Sequence, residues 1–488
     1  MTHSPVTRRS GLTLVEILIA MVMTLIVLLA MMEAFKYASG EMQRSRATIE
    51  LSNQLRAAQE LLRSDLEHMT LDPRPWTQTA LPKGYFEYVE GPRGDADGSV
   101  VNENLIPPKT IANREQYSYL GDVDDIISFT VNRPEQPFRG RWLDQNGNEQ
   151  IVESPMAEIV WWTDWDDRNL NGLVDFDESV TVYRRVLLIR PDLAMLPLSN
   201  VKFNPSPSLW ASSQLELAGD PDEDRKNVFR SYCDISCRYN GTNMVANSLE
   251  DLGHRGNRFC NITFDDPGAA NGFPHVAYYS ANEVADQKRR KTKRFNLTNS
   301  KMASNAERNG DDVVLTNVAG FDVRVYSPNA AVQEFNSASL LVEPSDVLIT
   351  SGENYVQGAP NLGAFVDLNY GGAGWFGPDS NFYYPLWIKK LDATDNLIAI
   401  NVGDQNVFDT WTPVYESDGV DQDGVAGVDQ GTNGVDDGGT AAVDDTAERE
   451  TMPPYSHPIR GLKVSFRLVE KNTKQLRQAS IIHSFVPE

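Results

Sequence analysis

An uninterrupted apolar run near the start of the chain is the strongest pattern in the sequence. Residues 17–32 include no charged side chain, and only Thr24 among them is polar. A helix over residues 12–32 is about 30 Å long at about 1.5 Å of rise per residue, which matches the hydrocarbon core of a bilayer. The pattern therefore predicts one membrane-spanning helix.

A carboxylate, Glu16, lies inside this apolar segment. A charged side chain in hydrocarbon is costly unless it meets a partner, so an ionisable residue here indicates a function. A plain signal anchor explains the two arginines ahead of the helix by the positive-inside rule, but it leaves Glu16 without a role. A cleaved secretory signal needs small residues after the apolar run, and Ala30-Met31-Met32 fits that requirement poorly.

The helical pattern continues beyond the membrane segment. Residues 33–69 contain no proline, and apolar residues recur there at spacings of three and four, which places them on one stripe of a helix. These residues are Leu51, Leu55, Ala58, Leu62 and Leu66. Two prolines, Pro73 and Pro75, end the pattern because each disfavours helix in the residue before it. The sequence thus predicts one long helix, half in lipid and half packed on a folded domain.

Short β-rich segments bounded by Gly, Pro, Asn or Asp follow the helix. They span residues 126–131, 158–163, 180–189, 313–315 with 321–326, 462–469 and 479–486. Together they predict an antiparallel sheet laid against the apolar stripe of the helix, which is an α+β fold with large insertions.

This pattern divides the chain into eight parts. A leader (1–11) precedes the membrane half of the helix (12–32) and its soluble half (33–70). The remaining parts are the first part of the β domain (71–190), an insertion (191–310), strands (311–326), a second insertion (327–458) and a C-terminal β-hairpin (459–488). From the sequence alone the insertions are either subdomains or loops.

An acidic segment between two of the predicted strands matches the twelve-residue calcium loop D-x-[DN]-x-[DN]-G-x5-E at every specified position. In such a loop, side-chain oxygens at alternate positions point to the ion and the last carboxylate binds through two oxygens. The predicted ligands are Asp167, Asn169, Asn171, Leu173 through its backbone carbonyl, Asp175 and Glu178. The alternative is an acidic β-turn, since Asn-Gly is a strong hairpin dipeptide.

Composition narrows the classes of function. Asp and Glu number 68 against 44 Lys and Arg, and this net charge of −24 argues against nucleic acid as a partner. Repeated Val-Asp units in residues 416–450 favour a flexible acidic loop, with ordering by calcium as the alternative. Three cysteines outside the cytoplasm suit one disulfide and one remaining thiol. No nucleophile elbow, zinc-protease helix or phosphate loop occurs, so the sequence predicts no enzyme.

A family resemblance is carried by residues 8–16, which read RRSGLTLVE. This segment resembles the N-terminus of type IV pilins and type II secretion pseudopilins. The resemblance implies that a prepilin peptidase cuts after Gly11 and that the new N-terminal residue, Leu12, is N-methylated; the family usually has Phe at that place. Glu16 would then neutralise the N-terminal amine of a neighbouring subunit inside the membrane.

Two further stretches resemble the J-type minor pseudopilins and the W-type minor pilins. They are LLRSDL at residues 61–66 and PIRGLKVSF at residues 458–466. The K-type minor pseudopilins typically lack the glutamate, so Glu16 argues against that type despite the length of the chain.

The resemblance implies a minor pseudopilin at the tip or initiation point of a type II secretion pseudopilus. The chain would cross the bacterial inner membrane once, with its N-terminus in the cytoplasm and its C-terminal domain in the periplasm. The implied partners are other pseudopilins or minor pilins, the prepilin peptidase, the inner-membrane assembly platform and a secreted substrate. The alternatives are a type IV pilus minor pilin, serving adhesion, motility or DNA uptake, and a membrane-anchored binding module.

Overall fold

The computed structural model describes the long helix and most of one large sheet. The described residues are 13–71, 73, 83–89, 123, 125–143, 149–165, 179–193, 234–239, 244–259, 311–328, 333–335, 340–342, 355–356, 363–368, 389–391, 397–399, 407–410, 412–417, 419, 427–437, 439, 442–444, 448–449, 458–470 and 475–485.

A single helix, α1 (Leu14–Glu67), forms the N-terminal part of the molecule. Its first part is almost entirely apolar and rich in Leu, Met and Ala, which favour helix, and its second part carries the apolar stripe seen in the sequence. The helix ends when the His68 N–H bonds back to the carbonyls of Asp65 and Leu66. All five residues of the predicted stripe are buried, so the predicted long helix is confirmed.

Eighteen strands occur in the described parts of the chain. The first nine are β1 (Phe86–Val89), β2 (Ile126–Asn132), β3 (Phe138–Leu143), β4 (Glu149–Ser154), β5 (Met156–Trp165), β6 (Val180–Leu188), β7 (Cys237–Tyr239), β8 (Met244–Ala246) and β9 (Asp311–Ser327). The others are β10 (Gln333–Phe335), β11 (Leu340–Val342), β12 (Tyr355–Val356), β13 (Ala364–Val366), β14 (Lys389–Leu391), β15 (Leu397–Ala399), β16 (Val407–Asp409), β17 (Gly461–Glu470) and β18 (Gln475–Ser484).

Nine of these strands form one antiparallel sheet in the order β16-β1-β2-β5-β6-β9-β17-β18, with β13 also paired to β9. The helix packs on one face of this sheet. Apolar residues at alternate positions meet it, for example Ile127 and Phe129 on β2 and Ile159 and Trp161 on β5. The described structure is therefore α+β, as the sequence predicts.

The predicted strands all coincide with observed ones, with one difference at β9. The sequence indicates two strands separated at residues 316–320, whereas the structure has one strand of 17 residues. The pairing of β9 is irregular on both sides of this point, and Asn317 adopts φ of 54°. Asparagine tolerates the left-handed region, so the strand bulges at this point and continues.

Parts of both predicted insertions belong to the folded domain. From the second insertion, β13 pairs with β9, and β16 pairs with β1 at one end of the sheet. From the first, residues 234–239 and 244–259 lie on the sheet face opposite the helix, where Asp234 O accepts from Leu188 N–H at 2.8 Å and Asn247 is fully buried. The sheet is thus covered on both faces where these residues lie.

Candidate functional site

The N-terminus of α1 holds Glu16 in a local hydrogen-bonded cap. Thr13 is the N-cap residue, and its hydroxyl accepts from the Glu16 N–H at 3.3 Å. In return the Glu16 carboxylate oxygen Oε2 accepts from the Thr13 N–H at 2.8 Å and from the Thr13 hydroxyl at 2.9 Å. This capping box satisfies donors that a helix start leaves open. A carboxylate at this depth in an apolar segment therefore has a partner within its own chain.

The first part of α1 is not packed against the rest of the described structure, apart from a hydrogen bond from the Thr48 hydroxyl to the Gln475 side chain on β18. No residue from 14 to 50 is buried, a length of about 55 Å at 1.5 Å per residue. This helix is long and apolar enough to cross a membrane, and no residue in its most apolar stretch is buried.

A stalk, residues 33–50, continues this exposed helix toward the domain. It carries large apolar side chains that are more than half exposed, namely Phe35, Tyr37, Met42 and Ile49. Charged pairs such as Arg44 with Glu41, 3.0 Å apart, lie along the same stalk. An exposed helix with both features suits packing against other helices.

Asp65 locks the last turns of α1 onto the sheet. Arg184 on β6 donates to it twice, from Nε to Oδ2 at 2.7 Å and from Nη2 to Oδ1 at 2.9 Å. Arg133 Nη2 donates to Oδ1 at 2.8 Å, and the Trp161 indole N–H donates to Oδ2 at 3.0 Å. Asp65 is 0% exposed, and such a charge is stable only when it is fully partnered.

The predicted calcium ligands, residues 167–178, lie outside the described residues. The strands on either side are described, and they pair directly: Trp165 is the register partner of Val180. The described residues on either side of the predicted loop are therefore held next to each other by the pairing of β5 with β6. No group of three or more metal-ligating side chains occurs among the residues that the structure describes.

Gly11 and Leu12, the predicted cleavage and methylation positions, also lie outside the described residues. Among the cysteines, Cys237 is buried in β7, while Cys233 and Cys260 lie outside the described ranges.

A buried charge network, missed in the sequence, lies on the sheet face opposite the helix. Glu87 on β1 and Asp409 on β16 are register partners. Arg255 Nε donates to Glu87 Oε1 at 2.9 Å, and Arg258 Nη1 donates to Glu87 Oε2 at 2.8 Å and to Asp409 Oδ1 at 2.7 Å. All four residues are at most 1% exposed. The network fastens the 251–259 segment to the edge of the sheet.

Burial and the facing charges shift the pKa values of this network in different directions. Burial opposes ionisation of Glu87, but Arg255 and Arg258 outweigh it and lower its pKa. For Asp409 burial dominates and raises the pKa to about 6, with Arg258 only partly offsetting it. Its oxygen Oδ2 is buried without a hydrogen bond, in agreement with that direction.

Two neighbours of the network are also perturbed. The His254 ring packs edge-on against Tyr415 with centroids 5.1 Å apart, and burial followed by the charge of Arg258 lowers its pKa to about 4. Burial raises the pKa of Glu158, although it accepts from the Tyr85 hydroxyl, the Ser236 hydroxyl and the Phe259 N–H. None of these carboxyls is exposed to solvent, so the arrangement is a structural clamp.

The described part of the acidic segment contains two similar turns. Asp429 and Asp444 both adopt a left-handed backbone, with φ of 57° and 54°. The Asp429 carboxylate accepts from the Gly419 N–H and the Asp444 carboxylate from the Gly434 N–H, each at 2.9 Å. Two of the Val-Asp units, Val428-Asp429 and Val443-Asp444, therefore share one local structure.

Comparisons with protein-family models, with curated proteins and with solved structures found no match to this chain.

Proposed function

We propose that this chain is a minor pseudopilin, a membrane-anchored subunit at the tip or initiation point of a type II secretion pseudopilus. The observation that carries the proposal is the exposed helix of residues 14–50, which has a carboxylate at its membrane-entering end and an unburied stalk with exposed large apolar side chains. A helix that only anchors a domain needs neither feature. Both suit a helix that packs among the helices of other subunits.

Glu16 supplies the chemistry of assembly in this proposal. Its partner in the single chain is Thr13, through two hydrogen bonds to the same carboxylate oxygen. Cleavage after Gly11 would create a cationic amine at Leu12, and the carboxylate of one subunit would bind the amine of the next. A charge pair in hydrocarbon is much stronger than a hydrogen bond to a neutral hydroxyl, so this exchange favours the assembled state.

The folded domain gives the helix a rigid mount. Asp65 is held by Arg184, Arg133 and Trp161, so a force applied along the helix reaches the sheet through a buried, fully bonded contact. Extraction of a pilin-like subunit from the membrane requires such a connection. The domain itself would meet other minor pseudopilins and the secreted substrate in the periplasm.

Calcium is the proposed ligand of the 167–178 loop. The donor set is chemically suited to calcium, since it consists only of carboxylate, amide and carbonyl oxygens. Asp167, Asn169, Asn171, Asp175 and Glu178 would bind through their side chains and Leu173 through its carbonyl. The bound ion would supply the positive charge that lets these acidic groups converge.

The decisive experiment is mass spectrometry of the mature N-terminus after expression with a prepilin peptidase. We expect a chain that begins at Leu12 with a methylated amine. A matched variant, Gly11→Val, should remain as the longer precursor in the membrane, while Ser10→Ala should be processed normally. An intact Met1 in the wild type, or a cut after the apolar run, would refute the pilin-like assignment.

A second measurement separates the two filament classes. Cross-linking in cells that contain both a secretion system and type IV pili should capture the pseudopilins with this chain. Capture of type IV pilins alone would support the alternative, a type IV pilus minor pilin. Correct processing without capture by either class would support a membrane-anchored binding module.

A further inference from the structure

The nine-stranded sheet ends in a long edge strand, β18. It is last in the strand order and, among the described residues, pairs only with β17 over ten residues. At the end of this pairing the Phe485 N–H donates to the Arg460 carbonyl at 3.0 Å. In an antiparallel pair the residues that bond across the ladder alternate with residues that direct both backbone groups outward.

This alternation identifies the outward residues of β18. The odd-numbered residues of β18, like Phe485, direct their backbone N–H and C=O groups to β17. The even-numbered residues between them direct these groups away from β17. The outward set includes Leu476, Gln478, Ser480 and Ile482. Among the outward backbone groups of these four residues, one has a described partner on α1. The Gln59 side-chain amide donates to the Ser480 carbonyl at 3.0 Å.

The side chains of these outward residues face away from α1. Ile481, between them, is buried under the helix, whereas Leu476 is 41% exposed and Ile482 is 65% exposed. The edge therefore offers both backbone hydrogen-bonding groups and a partly apolar outer face. These are the two features that an added strand uses, since main-chain bonds give affinity and alternate side chains give specificity.

Charge indicates what kind of strand fits this edge. Residues 458–488 contain six Lys and Arg but only two Asp and Glu, in a chain whose net charge is −24. Arg477 is exposed on β18, and Arg467 of β17 reaches across to the Gln478 side chain at 3.0 Å. A second copy of the same edge would be repelled because both edges carry positive charge. Native proteins commonly use basic side chains in this way to prevent edge strands from pairing with each other. An acidic segment would be attracted.

We propose that β18 is a docking site for an extended acidic segment of a partner protein, which adds to the sheet as its next strand. The partner segment alternates acidic with β-branched residues, so that its carboxylates lie on the helix side of the sheet with Arg477 while its apolar side chains lie on the opposite side with Leu476 and Ile482. The site lies on the folded domain and does not depend on how the N-terminus is processed.

The test is peptide binding to the full-length chain in detergent micelles, measured by fluorescence anisotropy. The probe is a labelled ten-residue peptide that alternates Val and Glu. One control peptide carries Lys in place of Glu. The other keeps the acidic sequence but is N-methylated at two adjacent central residues, so that neither of its edges can form a continuous ladder.

Two protein variants address the backbone and the charge separately. Ile482→Pro removes an outward N–H without removing a bond to β17, and Ile482→Thr is its matched control. Arg477→Glu reverses a charge at the edge, and Arg139→Glu reverses an exposed charge on β3, which belongs to a separate two-stranded sheet. We expect the acidic peptide to bind about tenfold more weakly to Ile482→Pro and to Arg477→Glu, and about equally to wild type and both controls.

Several outcomes would overturn the proposal. Equal binding of the N-methylated peptide would mean that only charge attraction acts at this surface. Equal binding of the Lys peptide, or no binding of either sequence, would exclude an acidic strand as the occupant. Concentration-dependent dimers of the wild type that Ile482→Pro abolishes would assign the edge to a second copy instead. Arg477→Glu decides the question independently if Ile482→Pro fails to fold.

Discussion

Asp65 on α1 and Arg184 on β6 form a two-point ion pair that joins the long helix to the middle of the sheet. The two bonds are 2.7 and 2.9 Å long, and neither side chain is more than 7% exposed. Arg133 and Trp161 occupy the remaining positions around the same carboxylate. The helix is exposed for most of its length, but its last turns are thus fixed to the sheet by a buried network of hydrogen bonds around Asp65.

Asp65→Asn should destabilise the folded domain by about 3–5 kcal/mol, because it leaves Arg184 buried without its counter-charge. Removing both partners in Asp65→Asn with Arg184→Met should cost less than the sum of the two single changes. Denaturant unfolding of the full-length chain, followed by tryptophan fluorescence, measures all three variants. Arg63→Ala, which breaks only an exposed pair with Glu60, should change the stability by about 0.5 kcal/mol or less.

This lock shows how far the sequence can predict the fold. The apolar stripe that ends at Leu66 and the alternation in β2, β5 and β6 depend on local period, so the helix and the central strands follow from the sequence. The partner of Asp65 does not, because Arg184 lies 119 residues away and no local pattern indicates the pairing. The same holds for β1 and β16, two very short strands joined across more than 300 residues.

The buried charge network was not predictable for a related reason. Arg255 and Arg258 lie in a short Gly-containing turn with no helical or strand period, and a sequence reading assigns such arginines to a solvated loop. Their burial depends on Glu87 and Asp409, which come from distant strands. The candidate site at the N-terminus could be proposed from the sequence because its signal, a charge within an apolar run, is local.

His254 should make the domain less stable in mild acid. Its folded pKa of about 4 lies below the unfolded value of 6.5, so the unfolded state binds a proton first as the pH falls. Stability is fully present above pH 6.5 and is lost as the pH falls towards 4, by up to about 1.4 kcal/mol per pH unit. His254→Gln should remove this loss. The free energy of unfolding of the variant, measured by denaturant unfolding, should therefore increase relative to wild type as the pH falls from 6.5 to 4. A parallel pH dependence of the two proteins would contradict the assignment.

Asp409 should act with the opposite sign in the same pH range. Its folded pKa of about 6 lies above the unfolded value of 3.8, so the folded state holds the proton longer. Its contribution is fully present below pH 3.8 and is lost as the pH rises through 6. The stability of Asp409→Asn relative to wild type should therefore increase between pH 4 and 6. Glu60→Gln, an exposed substitution on α1, should show the same pH dependence of stability as wild type between pH 4 and 6.

Glu16→Ala should insert into the membrane at least as well as wild type but should join assemblies poorly. The substitution removes a costly charge from hydrocarbon and deletes the proposed partner of a neighbour's amine. It also removes the carboxylate half of the capping box, while the bond from the backbone N–H of residue 16 to the Thr13 hydroxyl remains, so the first turn of α1 should be weakened. Glu16→Gln separates the two effects, because an amide oxygen can still accept from Thr13 but carries no charge. Undiminished cross-linking of both variants to other subunits would exclude a docking role for Glu16.

Calcium should stabilise the domain through the loop at residues 167–178. The register pairing of Trp165 with Val180 holds together the residues that flank the loop, so an ion bound between them would stabilise the folded state and raise the melting temperature. Two of the side-chain ligands are Asn, which lowers the negative charge of the site, and we therefore expect weak to moderate affinity.

Glu178→Gln should abolish most of the thermal shift because it replaces the carboxylate that closes the site. Asp429→Asn, in the acidic segment that forms its own hydrogen-bonded turns, should change the shift little. Calorimetry on the wild-type chain provides the direct measurement, and an absence of both binding heat and thermal shift at millimolar calcium would leave the segment as an acidic turn between β5 and β6.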